Sequence, residues 1–163
     1  MKTLLIMRHA KSSWDESGLH DHDRPLNKRG KVNAPRMGRL LRELDMVPDL
    51  IMTSSARRAR DTAEAVADQS GYEGEAKVVE DLYAAPPEAY LEALEAVDDS
   101  YARILVIGHN PGLEELLEML TSEREALPTA AIARVDLPIE SWQALTDETP
   151  GKLIKLWRAK ELP

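Results

Sequence analysis

The stretch Leu4-Leu5-Ile6-Met7-Arg8-His9-Ala10 sets four consecutive apolar residues directly against an arginine and a histidine. A run of that length and character reads as a buried strand, which leaves the polar pair at its carboxyl end. The same arrangement recurs twice: Leu50 to Met52 leads into Thr53-Ser54-Ser55-Ala56-Arg57-Arg58, and Ile104 to Ile107 leads into Gly108-His109-Asn110-Pro111-Gly112. Further strand-length runs stand at Ile132 to Val135 and Leu153 to Leu156. Helical patterns lie between most of them, at about Lys28 to Leu44, Ala56 to Gln69, Pro87 to Val97 and Pro111 to Leu120. Strands alternating with helices predict an α/β fold. In the last helix Leu113, Leu116, Leu117 and Leu120 share one face. Asn110 followed by Pro111 reads as a cap and a first-turn proline, so that helix is expected to begin directly after His109. Ser54 or Ser55 is the expected cap of the helix carrying Arg58.

The bulk properties narrow the field. A chain of 163 residues with 43% hydrophobic content suffices for one core, and residues 1–163 read as a single domain. A formal net charge of −8 and the lack of Lys/Arg runs speak against nucleic acid as a partner. No cysteine is present, which removes disulfides, thiolate nucleophiles and cysteine-based zinc sites. The opening apolar run is too short for a signal peptide, and nothing approaches the roughly 20 apolar residues of a membrane helix. The expectation is a soluble, cytoplasmic protein with no membrane partner. Walker-type loops, dinucleotide fingerprints and His-Glu-x-x-His zinc helices are all missing from the sequence.

If the first three strands are parallel neighbours, their polar ends meet where open α/β sheets hold ligands. Two arginines, two histidines and two helix starts at one place describe a phosphate site. Each histidine alone could be a satisfied turn residue. The set is harder to explain structurally, because buried unpaired guanidinium groups are costly. Arg57 and Arg60 are expected on a solvated helix face, as are Glu114, Glu115 and Glu123 to Glu125. Gly18 to Arg29 reads as a long polar loop containing Pro25. Its His20-Asp21-His22-Asp23 run could suggest a metal site, but a pocket rim is the expected role. Lys11, Ser12 and Ser13 either line the pocket or form a turn.

These motifs, in this order, resemble the histidine phosphatase superfamily and within it the small SixA-type phosphohistidine phosphatases. Arg8-His9-Ala10 is similar to the family's Arg-His-Gly element, with alanine in place of glycine. Arg24-Pro25-Leu26 with Gly30, and Ser54-Ser55-Ala56-Arg57-Arg58-Ala59-Arg60-Asp61-Thr62, match two further elements, and His109 falls on the second family histidine. The resemblance spans nearly the whole chain. It implies a phosphoglycerate mutase-like three-layer sandwich, with helices on both faces of a mostly parallel sheet. It also implies His9 as nucleophile, with Arg8, Arg58 and His109 binding phosphate, Arg24 and Ser12 as further candidate contacts, and no metal or other cofactor.

Implied too is a phosphohistidine intermediate that water hydrolyses. The flanking arginines are expected to keep His9 neutral by like-charge repulsion and to offset charge on the phosphoryl oxygens. His109, if protonated, adds a donor. Several relatives place an acid directly after the second histidine, where this chain has Asn110. Glu80 and Asp81 remain candidate proton donors. A weak or missing acid agrees with phosphohistidine, whose imidazole leaves more readily than an alkoxide. The leading expectation is therefore a phosphohydrolase acting on phosphohistidine in a signalling or phosphotransfer protein. The alternatives are a phosphatase for a small phosphorylated metabolite and a non-catalytic phosphate-binding module.

Overall fold

Six strands, β1 (Lys2–Arg8), β2 (Leu50–Ser54), β3 (Lys77–Val79), β4 (Arg103–Gly108), β5 (Ile132–Leu137) and β6 (Lys152–Trp157), form one sheet in the order β3-β2-β4-β1-β5-β6. This computed structural model describes residues 1–15 and 18–163. Strands β3, β2, β4 and β1 are mutually parallel, whereas β5 runs antiparallel to β1 and to β6. The apolar runs account for the arrangement. Leu4, Leu5, Ile6 and Met7 are all 0% exposed, because β1 lies inside the sheet with both faces covered. Side-chain alternation sends Leu4 and Ile6 to one face and Leu5 and Met7 to the other.

Four helices cover those faces: α1 (Lys28–Glu43), α2 (Arg57–Ser70), α3 (Pro87–Glu95) and α4 (Gly112–Thr121). Met37 and Leu41 of α1 and Ala59, Ala63 and Val66 of α2 pack with Leu5, Met7, Leu105 and Ile107. On the opposite side Tyr90 and Leu94 of α3 and the Leu113, Leu116, Leu117 and Leu120 stripe of α4 pack with Leu4, Ile6, Ile104 and Val106. The result is the three-layer α/β sandwich that the motifs imply. Each of these aliphatic side chains gains roughly 1.5–3 kcal/mol on leaving water, so the two-sided core fixes the strand order that in turn places the polar ends.

The differences from the sequence reading are local. Helix α3 stops at Glu95, two residues before Val97, and α4 starts at Gly112. Asn110 does not cap α4: the Asn110-Pro111 bond is cis, and the Asn110 amide donates instead to Glu114 Oε2 at 2.8 Å and to the Leu127 carbonyl at 2.9 Å. Glu114 is therefore half-buried and holds the 127 segment, accepting from Leu127 N–H at 2.8 Å, rather than facing solvent as expected. No helix among the described residues is long and apolar enough to cross a membrane.

The segment after β1 is anchored to the start of α1. Asn27 caps α1 by accepting from Gly30 N–H at 2.9 Å, and its own N–H donates to the Lys11 carbonyl at 3.0 Å. Gly30 lies so close to Lys11 that a Cβ there would run into the Lys11 carbonyl oxygen. Neither backbone can yield without moving the other. Gly30→Ala is thus expected to destabilise the protein by about 1–3 kcal/mol, the usual cost of overpacking, measured as a lowered urea midpoint. An unchanged midpoint would show that this contact constrains nothing.

Candidate active site

Because β2, β4 and β1 are adjacent and parallel, their carboxyl ends open on one place. Arg8 is in register with Gly108, and Thr53 with Ile107. Arg8-His9, Ser54-Ser55 and His109-Asn110 therefore converge, and helix α2, starting at Arg57, brings Arg58 in its first turn. Arg8, His9, Arg58 and His109 line a common cavity of about 260 Å³ with Ser12, Trp14, Asp21, Arg24 and Tyr83. The four residues singled out in the sequence thus share one site.

His9 is 6% exposed, and its Nδ1 lies 2.7 Å from the Ala10 carbonyl oxygen. A carbonyl only accepts, so Nδ1 carries the proton and Nε2 keeps its lone pair. Burial pushes the imidazole down to about 3 from its ordinary 6.5; the Ala10 bond works against that, and His109, Arg58 and Arg8 add to it. Arginine repulsion, the expected cause, is real but secondary to desolvation. Ala10 is itself fixed from behind: its N–H donates to Thr62 Oγ1 at 3.0 Å, and that hydroxyl donates to the Arg58 carbonyl at 2.7 Å. Thr62 lies one helical turn after Arg58, so one side chain ties the histidine loop to the helix that supplies the arginine.

The two imidazole rings stand 5.1 Å apart, centroid to centroid. His109 Nε2 is 2.7 Å from Ser54 Oγ, and Ser54 Oγ also accepts from Ala56 N–H at 3.2 Å. The hydroxyl meets Nε2 either as donor or as acceptor; when it donates, the His109 proton lies on Nδ1, a buried atom with no partner among the described residues. Ser54 therefore does not cap α2 with its side chain; it orients His109. Burial again dominates, lowering His109 to about 4, with Arg58 adding and Asp21 opposing. In the free protein His109 is held neutral, rather than as the cation that the sequence reading allowed. Behind it the Tyr90 hydroxyl accepts from His109 N–H at 3.2 Å.

Arg8 Nη1 donates to the Leu127 carbonyl at 3.3 Å, while the buried Nε atoms of Arg8 and Arg58 have no acceptor among the described residues. Such orphaned charged donors are costly unless an anion completes them. Arg24 and Ser12 also line the cavity and bond each other, Arg24 Nη1 donating to Ser12 Oγ at 2.8 Å, and the Arg24 guanidinium stacks 3.4 Å from the centre of the exposed Trp14 ring. Arg57 and Arg60 stay on the outside, as expected.

Glu80 and Asp81, the sequence-based candidates for a proton donor, are exposed and do not line the cavity; the short helical turn that holds them sends Tyr83 inward instead. Among the described residues the carboxylate lining the cavity is Asp21, which sequence reasoning placed on the rim without a role. It receives Tyr83 OH at 2.6 Å and Arg58 Nη2 at 3.0 Å on Oδ2, and Arg24 Nε at 3.1 Å on Oδ1, while its carbonyl accepts from Arg58 Nη1 at 2.7 Å. The Tyr83 hydrogen bond first, then Arg58 and Arg24, hold its carboxyl down to about 2 against the opposing effect of burial. The neighbouring His22 turns to Ser55 Oγ at 2.9 Å and edge-on to Tyr83, so of the His20 to Asp23 run it is Asp21 that lines the cavity. The signal for Asp21 lay in its spacing, three residues before Arg24 in the Asp21-His22-Asp23-Arg24 run.

Both histidines resist protonation when folded, to about 3 and about 4, whereas the unfolded chain takes protons near 6.5. Their contribution to stability is complete above that ordinary value and is lost as the pH falls through the folded-state values. Each unmatched proton steepens the fall by at most about 1.4 kcal/mol per pH unit. His109→Asn is expected to flatten the loss of stability between about pH 6 and pH 4.5 by up to one proton, read from urea unfolding at each pH. Equal slopes in both proteins would mean that His109 is readily protonated in the fold.

Residues 4–83 match the histidine phosphatase superfamily (branch 1). An uncharacterized chloroplastic protein of Arabidopsis thaliana is 34% identical over 151 residues, covering 87% of this chain and 69% of the relative. The structure of the protein histidine phosphatase SixA complexed with tungstate aligns with a TM-score of 0.85 at 25% identity, over 99% of both chains. One from Agrobacterium tumefaciens, assigned to phosphohistidine phosphatase SixA, aligns at 0.82 with 27% identity over 96% and 97%. Family and neighbours together support phosphatase activity. With the same fold carrying the two histidines and two arginines of the motifs at one sheet end, the chain belongs to the histidine phosphatase superfamily, in its SixA-type group.

Proposed function

We propose that this protein hydrolyses phosphohistidine in a phosphorylated protein through a covalent intermediate on His9, without a metal ion. The observation that carries the reading is the buried, neutral His9 whose Nδ1 is committed to Ala10, leaving Nε2 as a nucleophile among guanidinium groups. A phosphoryl group seated there takes donors from Arg8, Arg58 and His109 Nδ1, whose unpaired atoms are otherwise an energetic cost. Nε2 of His9 bonds to phosphorus as the phosphorus bond to the leaving nitrogen breaks in line, the electron pair staying on that nitrogen. Water then adds to phosphorus, the bond to Nε2 breaks, and inorganic phosphate departs with His9 neutral again.

Among the described residues no proton-donating carboxyl lines the cavity, which favours a nitrogen leaving group over an alkoxide. Glu80 and Asp81 lie outside, and Asp21 is ionised at every working pH. A phosphoimidazole protonated on its other ring nitrogen needs no acid to leave. The tungstate bound by the SixA neighbour is a tetrahedral oxyanion of phosphate's shape, which agrees with the cavity being its counterpart.

His9→Ala is expected to abolish phosphate release from a phosphohistidine protein, by about 10⁴-fold or more, with an unchanged circular dichroism spectrum. Wild type quenched during turnover should carry an acid-labile, base-stable phosphoryl group that His9→Ala lacks. Arg58→Ala should cost about 10²–10³ in kcat, as for loss of one charged donor. Release measured with a chelator present should persist; strict metal dependence, or an active His9→Ala protein, would overturn the mechanism.

A further inference from the structure

An ionised carboxylate inside a phosphate pocket calls for a reason. Asp21 stands on Arg58, the guanidinium proposed to bind phosphate, and its charge repels the oxygens that the arginine attracts. Its depth suggests what it faces. His9 is buried at 6% exposure on the cavity floor, whereas the Asp21 side chain is 46% exposed. In-line displacement puts the leaving atom on the side of phosphorus away from His9, and the half-exposed Asp21 is the lining carboxylate open to that side. We propose that Asp21 is a specificity-determining residue that recognises a positively charged, N–H-bearing leaving group, so that the site selects cationic phosphoramidates, protonated phosphoimidazole above all, over phosphate esters.

This rests on the phosphohistidine reading and adds to it the residue that enforces it. An ester leaving group gathers negative charge as its bond to phosphorus breaks, and a fixed carboxylate opposes that charge. A protonated phosphoimidazole presents an N–H and a positive charge, which the same carboxylate stabilises. The geometry leaves room for the role on one oxygen. Tyr83 and Arg58 occupy both lone-pair directions of Oδ2, whereas Oδ1 takes one hydrogen bond, from Arg24 Nε, with Arg24 Nη2 beside it at 3.1 Å, so Oδ1 is the oxygen that meets a further donor. Those donors hold the carboxyl down to about 2, so it stays ionised.

The test compares kcat/KM for a phosphohistidine peptide and for para-nitrophenyl phosphate in wild type and Asp21→Asn, with tungstate inhibition measured on both. Asp21→Asn is expected to lower the ratio of the two rate constants by about tenfold or more, to raise ester hydrolysis, and to tighten inhibition by tungstate. An equal fall on both substrates with weakened tungstate inhibition would mean that Asp21 only props Arg58, and would overturn the proposal. Tyr83→Phe provides a second line should Asp21→Asn not fold, since it removes one donor from Oδ2 and leaves the charge. It is expected to keep or widen the preference for the phosphohistidine peptide, and a narrowed preference would count against the proposal. Wild type preferring the ester would overturn both this inference and the phosphohistidine reading; wild type preferring the peptide with Asp21→Asn unchanged would overturn this inference alone.

Discussion

The hydrogen bond between His9 Nδ1 and the carbonyl of the next residue, 2.7 Å long and shut away from water, decides what the site can do. It assigns the proton to one ring nitrogen and the lone pair to the other, and burial then keeps that assignment across the whole ordinary pH range. Nothing in the histidine itself secures this. It needs the loop after β1 to turn sharply at the sheet's end, and that turn is held from two sides. Thr62 ties Ala10 to α2, and Gly30 with Asn27 ties Lys11 to α1. Both helices lie on the same face of the sheet, so their packing against Leu5, Met7, Leu105 and Ile107 holds the nucleophile's position.

Around this neutral base the charges are arranged in opposition. Arg8 and Arg58 bring unpaired donors into a low-dielectric place and depress both histidines, and Asp21 and Glu114 offset part of that positive field. The two carboxylates act on different sides. Glu114 is close enough to raise Arg8 while holding Asn110 and Leu127. Asp21 pairs with Arg58 and Arg24 at the mouth. A site with the arginines alone would attract any phosphate; in the role proposed for Asp21, the carboxylate at its mouth favours phosphate attached to something positive.

Most of the sandwich and the central tetrad were legible because they follow from short-range rules. Four-residue apolar runs bury as strands, and a polar residue immediately after such a run must lie at the strand's end. The meeting of Arg8, His9, Arg58 and His109 at one cavity follows from that position and from the motif register. What was not legible depends on side-chain packing across long separations. Asn110 was read as a cap from its neighbour Pro111, but its amide is claimed by Glu114 and the Leu127 carbonyl, 17 residues away in sequence. Glu80 and Asp81 looked like acids because they follow a short strand, yet the turn they form rotates them outward and Tyr83 inward. Asp21 sits on a polar loop whose path no periodicity encodes, 37 residues in sequence from Arg58.

That pattern has a physical basis. Strand ends are placed by the core, whose many apolar contacts each agree with the local pattern, so sequence and structure coincide there. Among the described residues between Lys11 and Asn27, Leu26 is the buried apolar anchor, and these residues are held mainly by polar contacts: Ser13 N–H to the Pro25 carbonyl, Arg24 to Ser12, Asp21 to Arg58. Contacts of that kind are directional and individually modest, so the loop can change residue by residue without disturbing the sheet. The positions of His9, Arg8, Arg58 and His109 are thus fixed by the part of the chain hardest to alter. The mouth, where leaving-group selection is proposed, is built on the part that can change most freely.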